Sequence, residues 1–292
     1  MALRRDADPG ARFVTEGLEA RCIVALADLS DYEALVRVLN EYEVRTVHHL
    51  GAQTIVGTAV RSPLATFDAN VRGTYALLEA CRSLGEGAVE RIVVASSDKA
   101  YGAHDELPYR EDFALQAIYP YDVSKACVDL IARSYAATYA LPVAVTRFAN
   151  VYGPGDVNWS RLVPDTARAL ARGERPLIRS DGTPERDYLY LDDAVEAYLL
   201  VAASLDRPEF RGRAWNAGWG TGVSVLELVR RLIAVSGREL EPDIRGAGVP
   251  HAEIDRQFLD STALRTELGW EPRVGLDEGL RRTWDWYLAR LG

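Results

Sequence analysis

Cysteine is scarce in this chain, and its few cysteines show no cross-linking pattern. Cys22, Cys81 and Cys127 lie far apart among 292 residues, without a Cys-x-x-Cys pair or a Cys/His spacing. Disulfide frameworks and structural zinc sites are built on such spacings. The sequence therefore predicts no disulfide and no metal centre, and the three thiols are interpreted as small buried apolar side chains.

The chain also lacks a long apolar run and a basic excess. No stretch approaches the roughly eighteen apolar residues of a membrane-spanning helix, and the cations of MALRRDADPGARF are not followed by the apolar core of a signal peptide. Its 34 Lys and Arg stand against 43 Asp and Glu, a formal net charge of −9. Nucleic-acid binding depends on clustered cations. We therefore expect a cytoplasmic protein with neither a membrane nor a nucleic acid as partner.

Short β-branched runs alternate with longer segments of helical period through the first two-thirds of the chain. The predicted strands are Arg21–Leu26, Thr46–Leu50, Arg91–Ser96 and Val143–Arg147. The predicted helices between them are Tyr32–Tyr42, Pro63–Leu84 and Val123–Tyr139. Parallel strands joined by helical crossovers produce this alternation. The sequence therefore predicts an α/β fold with a doubly wound, Rossmann-like parallel sheet.

The sequence pattern changes after Gly153, where Gly and Pro become more frequent. Further helices, predicted at Arg161–Arg172, Ser224–Ser236 and Leu276–Leu291, are separated by irregular segments. We therefore expect a smaller α+β domain, mainly for substrate binding, over 154–292. The dinucleotide-binding domain is expected over 1–153, with a later contribution from about 188–218.

No glycine-rich dinucleotide motif of the GxxGxxG or GxGxxG type occurs in the chain. Dinucleotide-binding α/β domains normally open with a strand, such a turn, and a helix whose N-terminus receives the pyrophosphate. The opening MALRRD instead resembles the end of the second strand of such a domain. We therefore expect the Rossmann-like sheet to be truncated at its N-terminus, by about 25 to 30 residues.

The densest group of reactive side chains lies between residues 91 and 125. RIVVASSDKAYG places Ser97, Asp98 and Lys99 at the carboxyl end of a predicted strand, where open α/β sheets bind ligands. In YPYDVSKACVDL, Tyr121 and Lys125 are four residues apart at the start of a helix and so share one face. A neighbouring ammonium and a nicotinamide cation would lower the tyrosine pKa from its usual value near 10. Tyr121 is therefore a candidate base at neutral pH.

Seven ordered segments make a family resemblance specific. They are HLGAQ (49–53), NVRGTYALLEA (70–80), SSDKAYG (96–102), YDVSKA (121–126), RFANVYGPGD (147–156), RDYLYLDDAVEAY (186–198) and ELGWEP (267–272). In this order and spacing the chain resembles an extended short-chain dehydrogenase/reductase of the NAD(P)-dependent nucleotide-sugar epimerase/dehydratase family. The resemblance covers nearly everything from residue 21 onward and is strongest to CDP-glucose and GDP-mannose 4,6-dehydratases.

The resemblance implies catalytic roles for three residues. Ser97 would hydrogen-bond the reacting sugar hydroxyl, Tyr121 would remove its proton, and Lys125 would hold the nicotinamide ribose and lower the tyrosine pKa. The hydride would pass to NAD or NADP. Alcohol oxidation requires this combination of a base on the hydroxyl and a hydride acceptor at the same carbon.

Asp98 and Lys99 determine the fate of the oxidised sugar. In 4,6-dehydratases an acid and a base beside the triad residue remove water across C5 and C6 of the 4-keto sugar. Most relatives carry Asp-Glu here, whereas Asp-Lys resembles the CDP-glucose 4,6-dehydratase pattern. A protonated Asp98 would donate to the leaving hydroxyl, and a neutral Lys99 would accept the C5 proton. A solvated Asp–Lys pair is the structural alternative.

The same resemblance implies the remaining binding residues. The substrate-binding candidates are Asn150, Arg161, Arg186 and Arg256. The cofactor-binding candidates are Asp28, Leu50, Ala52, Gln53, Asn70, Tyr121 and Lys125. Arg4 and Arg5 suit the 2′-phosphate of NADP, whereas Asp6 suits the ribose diol of NAD, so both cofactors stay open. The sugar and its nucleotide stay open as well.

The leading hypothesis is a nucleotide-sugar 4,6-dehydratase that oxidises C4 of an NDP-hexose, eliminates water and returns the hydride to C6. A nucleotide-sugar 4-epimerase or related oxidoreductase, which needs only Ser97, Tyr121 and Lys125, is the alternative. A catalytically inactive sugar-nucleotide-binding module is the alternative of another class, because a chain without the glycine-rich turn would bind NAD(P) weakly. The resemblance also implies a homodimer with contact helices Pro63–Leu84 and Val123–Tyr139.

Overall fold

The computed structural model describes residues 1–6, 9–248 and 253–291. Its helices are α1 (Arg12–Thr15), α2 (Tyr32–Glu41), α3 (Val56–Arg61), α4 (Pro63–Phe67), α5 (Gly73–Ser83), α6 (Pro120–Tyr139), α7 (Leu162–Ala171), α8 (Leu191–Ser204), α9 (Val225–Ser236), α10 (Thr262–Leu268) and α11 (Leu276–Leu291). Its strands are β1 (Ala2–Arg4), β2 (Val24–Leu26), β3 (Thr46–His49), β4 (Arg91–Ala95), β5 (Val143–Phe148), β6 (Asn150–Tyr152), β7 (Leu177–Ile178), β8 (Glu185–Arg186), β9 (Tyr188–Tyr190), β10 (Ala214–Ala217), β11 (Val223–Ser224), β12 (Asp243–Ile244) and β13 (Arg256–Gln257). None of the helices in these ranges is long and apolar enough to cross a membrane.

A four-stranded parallel sheet, in the order β10-β5-β4-β3, lies at the centre of the molecule. Its two faces are covered by different helices. Ile92 and Val94 of β4 pack with side chains of α2, α5 and α6, while Val93 packs with side chains of α8 and α10. A strand that is buried on both faces has a nearly continuous run of apolar residues in its sequence. This arrangement confirms the predicted doubly wound α/β class.

β1 and β2 form a separate parallel pair, in which Ala2 is in register with Val24. A cavity of about 1270 Å³ is lined by residues of this pair and of β3, the edge strand of the central sheet. Leu35 of α2 and Leu77 of α5 contribute apolar walls to it. The cavity therefore extends between the two sheets.

Two predicted helices differ from the observed ones in ways that matter for the site. The predicted helix Pro63–Leu84 is interrupted by a π-helical turn, Asp68–Arg72, between α4 and α5. Such a turn holds an extra residue, and apolar periodicity does not reveal it. The helix predicted from Val123 begins at Pro120, because proline is favourable in the first turn of a helix.

The cysteines are less buried than predicted. Cys81 is buried in α5, but Cys22 and Cys127 are only half-buried, so the prediction is wrong for these two. Cys22 comes after a short 3-10 turn, Leu18–Arg21, which replaces the first residues of the predicted strand Arg21–Leu26. All three thiols are free.

The C-terminal part of the chain packs around a core of its own. Side chains of α7, α9 and α11 meet there, including Leu232, Trp284 and Tyr287. Beside this core, β8 pairs antiparallel with β11 and parallel with β13. The pairing brings Arg186 into register with Gln257, and so joins two distant segments next to the central sheet.

A buried carboxylate connects this small sheet to the loop after β10. Asp187 accepts backbone N–H bonds from Trp219, Gly220 and Leu259 at 2.8, 3.0 and 3.3 Å. Burial raises the pKa of Asp187 to about 6, against the opposing effect of these three donors. The carboxylate thereby holds the loop against β13.

Gly218 is the residue that allows this contact, and its replacement is a test of it. A Cβ atom at position 218 would lie 2.2 Å from Asp187 Oδ2. We expect Gly218→Ala to cost about 1–3 kcal/mol of unfolding free energy, because the carboxylate must shift out of its three hydrogen bonds. Urea denaturation followed by circular dichroism measures the change. Gly275→Ala, where a Cβ meets nothing within 4 Å, is the control, and equal losses in both variants would contradict the prediction.

An ion pair is buried between β5 and α6. Arg147 donates to both carboxylate oxygens of Asp129, at 2.7 and 3.0 Å, and both side chains are almost inaccessible to solvent. Arg147 also donates to Tyr101 Oη at 2.8 Å, and Tyr101 donates in turn to Asn216. The network fixes α6 against the central sheet, close to the carboxyl ends of its strands.

Candidate active site

The candidate catalytic residues meet where β4 ends and α6 begins. Ser96 and Ser97 come directly after β4, and a short 3-10 turn, Asp98–Tyr101, continues the chain. This turn packs against the first turns of α6. Since carboxyl ends of parallel strands form the ligand edge of such sheets, the geometry places these residues where the sequence predicted them.

Ser97 and Tyr121 are neighbours in this structure. The Ser97 hydroxyl lies near enough to the Tyr121 phenol to oppose the rise in the pKa of that phenol, and it donates to Asp98 Oδ1 at 3.0 Å. The backbone N–H of Lys99 donates to Ser97 Oγ at 3.2 Å. The serine is therefore held between the phenol and the carboxyl, in position to orient a substrate hydroxyl.

The environment of Tyr121 differs from the predicted one. Burial raises the pKa of Tyr121 above its usual value, and the Asp98 carboxylate adds to this effect, while the hydrogen bond with Ser97 opposes it. The expected lowering by Lys125 is wrong for this state of the protein. A cation beside the ring would act in the opposite direction, so a low phenol pKa depends on what binds next to it.

Lys125 points to the sheet rather than to the phenol. Its ammonium donates to the Ala95 carbonyl oxygen at 2.7 Å, and its side chain is 5% exposed. Burial lowers the pKa of Lys125 to about 8. Lys99 and Lys125 are the only lysines in the chain, and both lie in this site.

Asp98 and Lys99 belong to a buried charge cluster and do not form the solvated pair of the structural alternative. Asp98 is 2% exposed and Lys99 is 9% exposed. Burial raises the pKa of Asp98, and the charges of Lys99 and Arg186 and the Ser97 hydrogen bond oppose this. The raised pKa agrees in direction with a carboxyl that donates a proton.

Glu253 joins two cations in the same cluster. Lys99 Nζ lies 3.1 Å and Arg186 Nη2 lies 2.9 Å from Glu253 Oε2. Burial acts to raise the pKa of Glu253, but these two charges hold it below its usual value. An ion pair of this kind stabilises a charged amine, so Lys99 is not the isolated neutral amine that the sequence analysis considered.

Asp122, the residue after the candidate base in the chain, is also part of the cluster. Its side chain is 1% exposed, and its Oδ1 atom has no hydrogen-bond partner among the described residues. Burial raises the pKa of Asp122 to about 7, opposed by Lys99 and reinforced by Glu253 and Asp98. Buried carboxyls with perturbed pKa values that lie in one cluster are typical of catalytic sites.

Comparison with known proteins agrees with this geometry. Residues 11–283 match the family model described as GDP-mannose 4,6 dehydratase. The chain belongs to this family. The predicted resemblance to nucleotide-sugar dehydratases and epimerases is therefore confirmed.

Three similar proteins represent the range of the family. A UDP-glucose 4-epimerase structure from Thermotoga maritima, solved with UDP-glucose, is 30% identical at a TM-score of 0.86, and covers 95% of this chain and 88% of its own. A dTDP-glucose 4,6-dehydratase structure from Streptomyces venezuelae, solved with NAD, is 28% identical at a TM-score of 0.85, over 98% and 86%. A trifunctional UDP-glucose 4,6-dehydratase from Arabidopsis thaliana is 32% identical over 268 residues, 90% of this chain. The chain spans 38% of the length of that plant protein.

The substrate-binding candidates of this family member are dispersed around the site. Arg186 is buried against Glu253, whereas Arg256, on the neighbouring strand, is exposed and pairs with Glu185 at 2.9 Å. Arg161 is exposed and bonds Asp156 and Thr54. Asn150 is half-buried at the start of β6. Among these four, only Arg186 is within the charge cluster.

Four of the seven cofactor-binding candidates line the cavity between the two sheets. They are Asp28, Leu50, Ala52 and Gln53. The Asp28 carboxylate accepts the N–H and hydroxyl of Ser30 at 2.8 and 2.7 Å, while Asp31 caps α2. The cavity volume of about 1270 Å³ is ample for a dinucleotide. Its polar lining residues, which include Asp28 and Gln53, are suited to bind the hydroxyl and amide groups of NAD or NADP.

Asn70 has a different position from the one predicted. Its amide donates to the Gln53 carbonyl oxygen at 3.0 Å and to Ser124 Oγ at 2.9 Å, and its Oδ1 accepts the Gln53 N–H at 2.7 Å. Both amide protons are thus used within the protein. Asn70 joins the loop after β3 to α6 and does not present a free donor to a cofactor.

Sequence reasoning missed Asp122 and Glu253. Asp122 is the second residue of the quoted segment YDVSKA, and Glu253 lies three residues before the candidate Arg256. The only available signal was a carboxylate next to a candidate base. Because Glu253 meets Lys99 across 154 positions in the chain, no local pattern reveals the pairing.

Proposed function

We propose that this chain is a nucleotide-sugar 4,6-dehydratase that acts on an NDP-hexose. The observation that carries the proposal is the buried Asp98 carboxyl beside Ser97 and Tyr121. Exchange of configuration at C4 needs only alcohol oxidation and reduction, whereas loss of water needs a further acid and a further base. The raised pKa of Asp98 supplies the acid.

The oxidation step uses Ser97 and Tyr121. The Ser97 hydroxyl orients the C4 hydroxyl of the sugar, and the Tyr121 phenolate accepts its proton. A bound NAD or NADP supplies the hydride acceptor, and Asp28, Gln53 and Lys125 are the residues that would hold it. The cofactor-bound relatives of this family support this assignment.

The elimination step uses Asp98 and Lys99, the two residues that follow Ser97 in the chain. Lys99, after it has released its own proton to solvent, is the neutral amine that accepts the C5 proton. The C5–H electron pair forms the C5=C6 double bond as the C6–O bond breaks. Asp98 donates its proton to the departing oxygen, which leaves as water.

A 4-epimerase is the second candidate, and one observation favours it. The ion pair of Lys99 with Glu253 stabilises the charged amine, and a lysine fixed in that state would contribute binding to the substrate rather than base catalysis. An epimerase would then use only Ser97, Tyr121 and Lys125. The UDP-glucose 4-epimerase of T. maritima is as similar in fold as the dehydratase.

Product mass distinguishes the two functions. Purified chain is incubated with NAD or NADP and, separately, with the glucose and mannose conjugates of CDP, dTDP, UDP and GDP, and the products are analysed by mass spectrometry. A dehydratase yields a product that has lost one water, whereas an epimerase yields an isomer of unchanged mass. Unchanged mass in every reaction would overturn the dehydratase proposal. Absence of any product, together with retained nucleotide-sugar binding, would indicate a binding module.

Replacement of Lys99 tests its role in elimination. We expect Lys99→Met to lower the rate of water loss at least about 10²-fold, the usual contribution of a general base, while reduced cofactor still forms from the sugar. Nicotinamide absorbance and product mass measure the two steps separately. Arg110→Met removes an exposed cation outside the site and serves as the control. Equal loss of both steps in Lys99→Met would contradict a role confined to elimination.

We also propose the homodimer that the family resemblance implied and the cytoplasmic location that was expected from the sequence. Apolar side chains on the two predicted contact helices support the dimer: Leu64 is 74% exposed and Leu130 is 55% exposed. Packing of these surfaces against a second copy would remove them from water. Light scattering, recorded as the purified chain elutes from a size-exclusion column, measures the molar mass of the assembly.

A further inference from the structure

The Lys99 amine is held by a side chain from a distant part of the chain. Its nitrogen lies 3.1 Å from Glu253 Oε2, and the lysine is largely buried. Lys125 is held differently, because its ammonium donates to a backbone carbonyl oxygen, that of Ala95. A side-chain carboxylate is less fixed than a backbone carbonyl, so the position of Lys99 depends on what holds Glu253.

Arg186 fixes the Glu253 carboxylate. Its Nη2 atom lies 2.9 Å from Oε2, the same oxygen that accepts from Lys99. Its Nη1 atom donates to the backbone carbonyl oxygens of Glu185 and Asp255 at 2.8 and 3.0 Å. Because the guanidinium is planar and rigid, these backbone contacts fix the direction of its bond to the carboxylate.

The backbone that follows Glu253 is held as well. The Glu185 N–H donates to the Asp255 carbonyl oxygen at 2.9 Å, and from there β13 pairs in parallel with β8. Glu253 is two residues before Asp255. The small sheet β11-β8-β13 therefore places this carboxylate beside Lys99, although the two residues are 154 positions apart in the chain.

Lysine is a rare choice in this chain, and its chemistry explains why it needs support at position 99. Of the 34 basic side chains, all except Lys99 and Lys125 are arginine. A guanidinium keeps its proton, whereas an amine can release one, but the amine is carried on a flexible stem. A neutral amine still has N–H donors beside its lone pair. It can therefore stay bonded to Glu253 while the lone pair accepts a proton from the substrate.

We propose that Glu253 is a positioning residue for elimination, which joins the Lys99 amine to the rigidly held Arg186 guanidinium. This inference rests on the proposed dehydratase function, in which Lys99 accepts the C5 proton. A displacement of about 1 Å in a reacting group can lower a rate about 10²-fold. Oxidation of C4 by Ser97 and Tyr121 does not use this contact, so loss of Glu253 should impair water loss and spare the oxidation.

The rates of the two steps are the first test. Glu253→Ala should lower kcat for water loss about 10²-fold, while reduced cofactor forms from the sugar within about threefold of the wild-type rate. Glu253→Gln should recover most of the water loss, because its amide oxygen can accept from both cations as Oε2 does. Glu227→Ala, which removes an exposed carboxylate of α9, is the control and should leave both rates unchanged.

A double variant separates positioning from a purely structural role. If Glu253 acts through Lys99, Glu253→Ala should cause no further loss of elimination when Lys99→Met is already present, because residues that act as a unit are not additive. A residue that only supported the fold would lower the rate further in this background, and would lower oxidation as much as elimination. Either of these results would reject the inference.

The third test needs no turnover. Selective ¹⁵N labelling of lysine gives the purified chain only two side-chain amine signals, from Lys99 and Lys125, and Lys99→Met assigns them. Glu253→Ala should shift the Lys99 signal and leave that of Lys125 in place, whereas Glu227→Ala should leave both. If Glu253→Ala does not fold, Glu253→Asp, which withdraws the carboxylate by one methylene group, should shift the same signal.

The outcomes separate the two proposals. An unchanged Lys99 signal in Glu253→Ala would overturn the role of Glu253, whatever the activity of the enzyme. A shifted signal in a chain that dehydrates no NDP-hexose would overturn the proposed function, while confirming that Glu253 holds the amine. A shifted signal with undiminished water loss would show a contact that elimination does not need, and would also reject the inference.

Discussion

Replacement of Tyr121 by phenylalanine is expected to lower kcat by about 10²–10⁴-fold, the range that general acid–base groups contribute. The variant removes only the phenol oxygen, whose pKa the neighbouring Ser97 hydroxyl acts to lower. The ring, which is 9% exposed, keeps its packing. The initial rate of product formation from the best NDP-hexose substrate measures the effect, and circular dichroism verifies the fold.

The same helix offers a matched control for this variant. Tyr135 also lies on α6, and its hydroxyl donates to Glu79 Oε2 at 3.2 Å, away from the ligand edge. Tyr135→Phe should retain activity within about twofold, since it breaks one partly exposed hydrogen bond. A Tyr121→Phe enzyme that kept wild-type kcat would rule out the phenol as the base and would require another residue to accept the hydroxyl proton.

Loss of the buried Arg147 charge is expected to destabilise the fold by about 3–5 kcal/mol, the usual cost of leaving a buried carboxylate without its partner. Arg147→Met keeps most of the side-chain volume but leaves Asp129, which is 0% exposed, without its two guanidinium bonds. Urea denaturation, fitted for the free energy of unfolding, measures the change.

Two further variants serve as controls for Arg147→Met: one breaks a surface ion pair, and the other removes both buried charges. Arg91→Met removes an Arg–Asp pair with Asp206 in which both side chains are partly exposed, and it should cost no more than about 1 kcal/mol. Arg147→Met combined with Asp129→Leu should recover part of the loss, because no buried charge remains. Equal losses for Arg91→Met and Arg147→Met would show that burial does not decide the contribution of these pairs.

Local sequence patterns were sufficient to predict three of the four strands of the central sheet, β3, β4 and β5, and the strand end that carries Ser97 and Asp98. β4 and β5 are apolar runs covered on both faces, so they could be identified without tertiary information. Ser97 and Asp98 end one of these strands, and Tyr121 opens a helix that packs beside them. Their proximity results from topology alone, because parallel strands present their carboxyl ends together.

The electrostatic state of the site could not be predicted in the same way. The charge state of Lys99 depends on Glu253, which is distant in the chain. The charge state of Asp122 depends on burial without a hydrogen-bond donor to its Oδ1 atom among the described residues. The direction of the Tyr121 pKa depends on burial, which a spacing of four residues does not report. A motif specifies which groups meet, whereas their ionisation depends on every neighbour.

The placement of the chain's only two lysines has a practical consequence. Because Lys99 and Lys125 are both largely enclosed at the ligand edge, every lysine-specific cleavage point of the polypeptide lies within 27 consecutive residues of the catalytic region. A lysine-directed endoproteinase can therefore cut this chain only where the centre opens. The rate of digestion by that protease therefore reports how often the candidate active site opens. The many surface arginines do not contribute to this rate, because the protease does not cut after arginine.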